Sequence, residues 1–413
     1  MSRVHMKSLK RFGWRCFRYN NNNINKRYLS QVKREFLENF DEDPTTKKYF
    51  ENQFRYNCTP LKQSNDDINR IMPKDNIAVL LKRLGNNDMD IDIVEIPKPP
   101  LPTGNMVLIT PKNVGICGSD VEYLKHGVIG PFKVDQNMVC GHETGGEVLA
   151  IGPDVKHLKV GDKVALEPGI SCGGCSNCQS GLYNLCSQVV FFATPPTVEM
   201  GGKMGVHGSM RTYFCRPDNW CFKIPDDKMD TSEAAWVEPL SVGIHACGEN
   251  VANVSTNESV FIAGCGPIGI ITLLCSIGNG ADNIVITDIE QSKLNIVNEY
   301  IKENNFKCNV NTLNTKDLSL STLIDKVTSY NNGYLFDHSF ECVGNSHVFN
   351  QAFQCTKNAG KLTVIGMAGV PEMKVDISKC NFKENKITIQ GVFRYRNTYP
   401  KAIKQISDGK LGN

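Results

Sequence analysis

Four cysteines fall within fifteen residues: Cys172, Cys175, Cys178 and Cys186, spaced C-x2-C-x2-C-x7-C in Gly- and Ser-rich sequence. Four thiolates at that spacing can close a tetrahedral structural zinc site. Redox-active or unrelated thiols are the competing reading. A nucleic-acid-binding zinc ribbon fits poorly, because the neighbours include Glu167, Pro168 and apolar residues rather than a basic, aromatic surface. A second set is Gly141-His142-Glu143, with the thiol of Cys117 upstream. Imidazole, carboxylate and thiolate all suit zinc, and three protein ligands leave the open fourth position that catalysis needs. Taken singly, such a Cys or His is more often buried or satisfied by local hydrogen bonds. A third is Gly264-Cys265-Gly266-Pro267-Ile268-Gly269, a G-x-G-x-x-G with Asp288 nineteen residues after Gly269. Glu238, in Glu238-Pro239-Leu240-Ser241, is the last. It reads either as a carboxylate facing a cleft between two domains or as a solvated surface acid.

These groups need elements to hold them. Val260-Phe261-Ile262-Ala263 is a short buried-type strand, the Gly-rich turn follows it, and Ile268–Ile277 reads as an apolar helix. Residues 283–287 form the next strand, which places Asp288 at its end. That context makes the glycine motif a dinucleotide fingerprint. Gly264 permits the tight turn, Gly266 the approach of the pyrophosphate, and Gly269 close helix–strand packing. Asp288 would accept from the ribose hydroxyls and repel a 2′-phosphate, favouring NAD over NADP. Further strands are expected at Tyr334–Phe340 and Lys361–Ile365. Alternating strands and helices imply a parallel sheet. Before residue 240 the pattern differs: short strands such as Ile77–Leu81 and Met106–Ile109, Gly-rich turns and few helical periods, which is a β-rich domain.

The 413 residues carry 46 Lys plus Arg against 43 Asp plus Glu, a net of +3. That balance argues against a strongly basic nucleic-acid binder. It is also uneven. Residues 1–34 hold ten basic residues and no acid, so the remainder has 36 basic against 43 acidic, a net of −7. The basic stretch has the composition of a mitochondrial presequence, and Arg27-Tyr28-Leu29-Ser30 resembles an arginine-proximal cleavage site; a disordered basic extension is the alternative. No secretory signal is evident, so 17 cysteines read as metal ligands and buried thiols rather than a disulfide framework. No stretch is apolar enough to span a bilayer. Residues 35–72 read as a linker with one short helix.

From about Asn76 the chain resembles the zinc-containing medium-chain dehydrogenases, and among them the sorbitol (polyol) dehydrogenases. The resemblance rests on Val114–Asp120, the spaced Gly141-His142-Glu143, Gly146 and Gly152, Gly181–Cys186, Phe192–Pro196, Glu238–Ala246 and Gly391–Thr398. It implies a GroES-like β-rich catalytic domain at 73–240 and a Rossmann doubly wound parallel sheet at 241–395. Residues 1–72 then form an extension and 396–413 the start of a return to the catalytic domain. The active site is implied in the cleft between the domains. The resemblance further implies a catalytic zinc on Cys117, His142 and Glu143, with Glu238 on its water. Ser119 and Tyr123 match positions near the substrate hydroxyl, and Arg394 and Tyr395 substrate-binding positions. Ile268, Lys293, Val343, Ile365, Gly366, Met367, Val392, Phe393 and Arg394 join the glycines and Asp288 as NAD contacts. The four-cysteine set matches a structural zinc that some relatives have lost.

The activity so implied is NAD-dependent oxidation of a polyol to a ketose by a homo-tetramer, cytoplasmic or mitochondrial. Two other readings remain: a zinc alcohol dehydrogenase for threonine or butanediol, which Phe393-Arg394-Tyr395 argues against, and a non-catalytic NAD- or zinc-binding paralogue. The second arises because relatives continue past Asn413 with segments returning to the catalytic domain. Glu122 also departs from the residues common in relatives and alters the rim of the implied pocket.

Overall fold

A computed structural model describes residues 16–18, 65–84, 89–195, 207–304, 306–367 and 387–409. The Arg27–Ser30 cleavage motif lies outside them. The chain divides into two units, one of residues 15–238 and one running from Pro239 onward.

The first unit is antiparallel throughout. Its main sheet runs, in order, Cys16–Arg18, Met106–Gly115, Glu143–Ile151, Lys163–Leu166 and Cys221–Lys223, with Phe214–Pro217 also paired to Met106–Gly115. A smaller sheet pairs Asn76–Arg83 with Met89–Ile96 and Met138–Val139. The main sheet packs on a core that includes Val107, Ile109, Val148, Val164, Leu166 and Phe214, all within 1% of full burial. The strand Met106–Gly115 is longer than its apolar start foretells. Pro111 lacks an N–H for the ladder, and the register slips between Pro111 and Asn113. The slip lets the strand continue to Gly115, which pairs with Glu143. A helix at Asn65–Ile71 meets the expectation for the linker. Cys16–Arg18, inside the basic stretch, forms an antiparallel strand on Asn113–Gly115.

The second unit holds a six-stranded, all-parallel sheet: Asn309–Asn314, Asn283–Asp288, Ser259–Ala263, Phe336–Glu341, Thr356–Val364 and Ile387–Gly391. In chain order this is 3-2-1-4-5-6, the doubly wound arrangement whose order reverses beside the first strand. Every residue of Ser259–Ala263 is buried, as a strand covered on both faces requires. Two helix starts are capped as their sequences ask: Ser319 Oγ accepts from Thr322 N at 3.2 Å, and Asn345 Oδ1 from Val348 N at 2.9 Å. The fifth strand begins at Thr356, earlier than expected. It pairs Phe336 with Thr356 and then His338 with Lys361, an irregularity that periodicity does not reveal. The helix Tyr399–Ser407 belongs to this unit.

The helix Thr231–Cys247 contains Pro239, and the division between the units falls there. Its start is fixed by a reciprocal pair. Asp230 Oδ1 accepts from Ser232 N and Glu233 N at 2.8 and 3.0 Å, while Glu233 Oε2 accepts from Asp230 N at 2.8 Å.

Candidate functional site

Cys117 sits where the strand Met106–Gly115 gives way to the helix Gly118–His126, at the N-cap. Asp120, three residues on, bends back over this junction. Its Oδ2 accepts from Cys117 N at 3.0 Å and its Oδ1 from Gly141 N at 3.1 Å. One carboxylate thus ties the Cys117 turn to the turn that carries His142. Glu143 opens the neighbouring strand, and its side chain occupies the space above Gly115: a Cβ at 115 would overlap Glu143 Oε2. Hence the residue opposite Glu143 has to be glycine. The result is a trio, Cys117, His142 and Glu143, whose ligand atoms all lie within 4.8 Å of one another.

The electrostatics of the trio test its fit to a metal. His142 and Glu143 are buried, and Glu238 is 6% exposed, so it is no solvated surface acid. Burial pushes the Cys117 thiol up, against the lowering pull of His142. For His142, burial works against the imidazolium, yet Cys117, Asp120 and Glu238 together hold its pKa well above the ordinary value. His142 Nδ1 has no hydrogen-bond partner among the described residues, and the nearest carboxylate oxygen, on Asp120, is 3.9 Å away. Four groups that are anionic when ionised, Cys117, Glu143, Glu238 and Asp120, act around a single imidazole. A divalent cation is what such a set lacks, and its thiolate–imidazole–carboxylate composition suits zinc. Ser119 and Tyr123, four residues apart, share a face of the helix Gly118–His126; Tyr123 is buried and Ser119 half-buried. Glu122 is exposed and pairs with His126 at 3.6 Å.

The four-cysteine set is closed. Its Sγ–Sγ separations are 3.5 Å (Cys175–Cys178), 3.5 Å (Cys172–Cys186), 3.7 Å (Cys175–Cys186) and 3.9 Å (Cys172–Cys178). A tetrahedron with Zn–S of about 2.3 Å has edges of about 3.8 Å. Backbone amides already point at the sulfurs: Cys175 N donates to Cys172 Sγ at 3.4 Å and Gln188 N to Cys186 Sγ at 3.3 Å. The amides of Gly174 and Cys175 bring the Cys172 thiol down to about 6, whereas burial lifts Cys186 to about 11. These residues fit a structural zinc.

In the second unit the fingerprint residues meet at the point where strand order reverses. Gly264 follows the first strand with φ +109°, and a Cβ there would strike Val343, which follows the fourth. A Cβ at Gly269 would overlap the Gly264 carbonyl oxygen, whereas one at Gly266 would meet nothing. The open space at Gly266 fits a group that comes close to the backbone at the start of the helix Pro267–Gly278. Asp288 Oδ2 accepts from Cys265 N at 2.9 Å, and Lys293 Nζ lies 3.3 Å from both Asp288 oxygens. Val343, Met367 and Phe393, each following a strand's carboxyl end, are 46%, 60% and 42% exposed. Exposed apolar side chains at that edge fit a flat cofactor. Ile365 is buried, and Gly366 packs too close to Gly344 N for any side chain. Val392 N donates to Val364 O at 3.0 Å. Arg394 adopts φ +56° with its guanidinium 4.8 Å above the Phe393 ring, and Tyr395 is buried against Tyr399.

Two residues escaped the sequence reading. Asp120 was legible as an acid at the third helical position, where it completes a capping box with Cys117. Glu341 gives no such signal. It is fully buried at the end of the fourth strand, and its Oε1 accepts from Val343 N at 2.9 Å and Gly344 N at 2.7 Å. It therefore shapes the turn that carries Val343.

Residues 103–226 match the family of the alcohol dehydrogenase GroES-like domain, and residues 267–408 match the zinc-binding dehydrogenases. The chain belongs to the zinc-binding medium-chain dehydrogenases. Within them it falls in the sorbitol dehydrogenase branch. It is 35% identical to a sorbitol dehydrogenase of Gallus gallus over 81% of this chain and 87% of that one. It is 38% identical to an L-idonate 5-dehydrogenase of Vitis vinifera over 73% and 76%. Among solved structures, an Escherichia coli oxidoreductase/dehydrogenase of unknown specificity superposes with a TM-score of 0.68 at 32% identity, covering 82% of this chain and 89% of that one.

Proposed function

We propose that the protein oxidises a polyol at a secondary alcohol to the ketose, with NAD as acceptor. The observation that carries this is the convergence of Cys117, His142 and Glu143 in a chain whose relatives include sorbitol and L-idonate dehydrogenases. Cys117, His142 and Glu143 would hold the catalytic zinc, and Cys172, Cys175, Cys178 and Cys186 the structural one. When bound, zinc supplies the Lewis acidity that lets an alcohol lose its proton near neutral pH, and NAD supplies the hydride acceptor. The chain's own residues do the rest. Ser119 Oγ and the Glu238 carboxylate accept and pass on the hydroxyl proton. Tyr123, on the helix that also carries Ser119, orients the polyol, and the resemblance assigns substrate-binding roles to Arg394 and Tyr395. Gly264, Gly266 and Gly269 admit the pyrophosphate beside Ile268. Asp288 takes the ribose hydroxyls, with Lys293 beside it. Val343, Ile365, Gly366, Met367, Val392 and Phe393 carry the remaining cofactor surface. Catalysis is then assigned to residues 73–240 and cofactor binding to 241–395.

The assembly that fits this reading is a homo-tetramer. No helix among the described residues is long and apolar enough to cross a membrane. The acid-free stretch 1–34 suits delivery to mitochondria, and the acidic remainder works there or in the cytoplasm.

A panel of sorbitol, xylitol, threonine and butanediol with NAD tests the substrate class. Polyols should give the highest kcat/KM. Cys117→Ser and His142→Ala should abolish turnover and leave NADH binding intact. Preference for threonine or butanediol, or full activity in metal-stripped protein, would overturn the reading.

A further inference from the structure

A cavity of about 420 Å³ opens within the second unit, and none of its lining residues is among the cofactor residues. It is lined by the end of the helix Thr231–Cys247, the loop leading into the strand Ser259–Ala263, and the chain around the start of the helix Tyr399–Ser407. Three features point to an anionic occupant. Thr398, at the N-cap of the helix Tyr399–Ser407, is 5% exposed, and its hydroxyl neither caps the helix nor finds any other hydrogen-bond partner among the described residues. A buried unpaired hydroxyl is costly and calls for a partner. Arg396 and Lys401 bring two cations to the lining, against one carboxylate, Glu249. Arg396 is held in place by Asn250, whose Oδ1 accepts from it at 2.9 Å. Finally, His245 also lines the cavity and is buried, with its pKa pushed down to about 4, by burial and then by Arg396. It is neutral at pH 7 and retains a ring N–H to donate.

We propose that this cavity binds a phosphate group through Arg396, Lys401, the Thr398 hydroxyl and His245. Phosphate offers acceptor oxygens enough for all four, and the positive end of the helix Tyr399–Ser407 favours it further. The volume exceeds what inorganic phosphate fills, so the phosphate of a small ester such as a polyol phosphate fits as well.

The experiment is a binding measurement on the zinc-loaded protein, independent of turnover. Inorganic phosphate replaces chloride at constant ionic strength, and thermal stability and calorimetry are followed. Wild type should be stabilised saturably. Lys401→Gln should bind phosphate about tenfold or more weakly, the loss expected for one charge-assisted contact. Thr398→Val should bind it roughly fivefold more weakly, yet be as stable as wild type or more so without phosphate, because an unpaired hydroxyl has been removed. Saturating NADH should leave the response unchanged. Sorbitol 6-phosphate binding tenfold tighter than phosphate would assign the site to an ester; equal binding would assign it to free phosphate. The proposal falls if phosphate acts no differently from chloride, if all three proteins respond alike, or if NADH abolishes the response. It falls equally if Thr398→Val destabilises the phosphate-free protein while its affinity is unchanged.

Discussion

Replacing Asp120 by alanine isolates the role of a residue that bonds the backbone of the metal trio without being one of its ligands. Its side chain is 9% exposed and accepts two backbone N–H bonds, from Cys117 at 3.0 Å and Gly141 at 3.1 Å. Bonds to an ionised acceptor are worth about 1.5–3 kcal/mol each, so losing both removes about 3–6 kcal/mol. Water entering beside half-buried Cys117 returns part of this, and about 2–4 kcal/mol is expected. The loss falls on the two turns that carry Cys117 and His142, so metal affinity should suffer most. Removing an outer partner of this kind costs roughly 10–100-fold in affinity. Asp120→Asn keeps one acceptor and should fall between alanine and wild type. The assay is zinc content per chain against a graded series of a competing chelator, with circular dichroism to confirm the fold. In Asp120→Ala one zinc should be stripped at about tenfold or more lower chelator than in wild type, while the four-cysteine zinc stays. A folded Asp120→Ala protein that releases both ions at the wild-type chelator concentration would refute the reasoning.

Two glycines of the fingerprint should separate binding from folding. Gly266→Ala places a methyl in open space, so stability should stay within about 1 kcal/mol of wild type while NADH fluorescence shows binding lost. Gly269→Ala drives a Cβ into the Gly264 carbonyl and should instead lower the melting temperature strongly. Cys175→Ser should reduce zinc from about two ions per chain to about one, measured by elemental analysis, with the nucleotide unit still binding NADH. Glu167 gives a pH signature. It is 3% exposed, and burial raises its carboxyl to about 7 from an ordinary 4.5, with Tyr183 and Arg216 opposing. Between those values the folded chain holds a proton that the unfolded chain has released, so stability falls as pH rises through the window, by up to about 3 kcal/mol. Glu167→Gln should flatten that slope and raise the melting temperature at pH 8 but not at pH 4; a slope as steep as wild type would remove Glu167 as its source.

How far these groups were legible depended on whether local spacing carried the information. The four cysteines and the glycine fingerprint lie within short stretches of chain, so their chemistry can be read from intervals along it. The trio is harder. Cys117 and His142 are far apart in sequence, so residue types alone only suggested the set, and the resemblance to relatives gave it a role. Their meeting depends on the Gly115–Glu143 pairing, which follows from a register slip at Pro111 that periodicity does not display. The same limit explains the late expectation for the fifth strand, where an irregular pairing hides the true start. Glu341 and Thr398 were invisible because a buried polar group is recognised by what surrounds it. The parallel sheet, by contrast, followed from alternation of element types, and its doubly wound arrangement from the resemblance to relatives.

The two metal sets differ in how much of the chain must be organised before either exists. The trio Cys117, His142 and Glu143 has no geometry until the strands Met106–Gly115 and Glu143–Ile151 are paired, so it comes into being with its domain. The four-cysteine set closes on one short loop, and closing so short a loop costs little entropy. A zinc ion can thus be captured there by a segment that is otherwise unfolded, as soon as Cys186 has been made. A loop so closed would be an early knot in the chain, able to form ahead of the main sheet of its unit. Zinc supply during synthesis would bear first on that knot and only later on the catalytic centre.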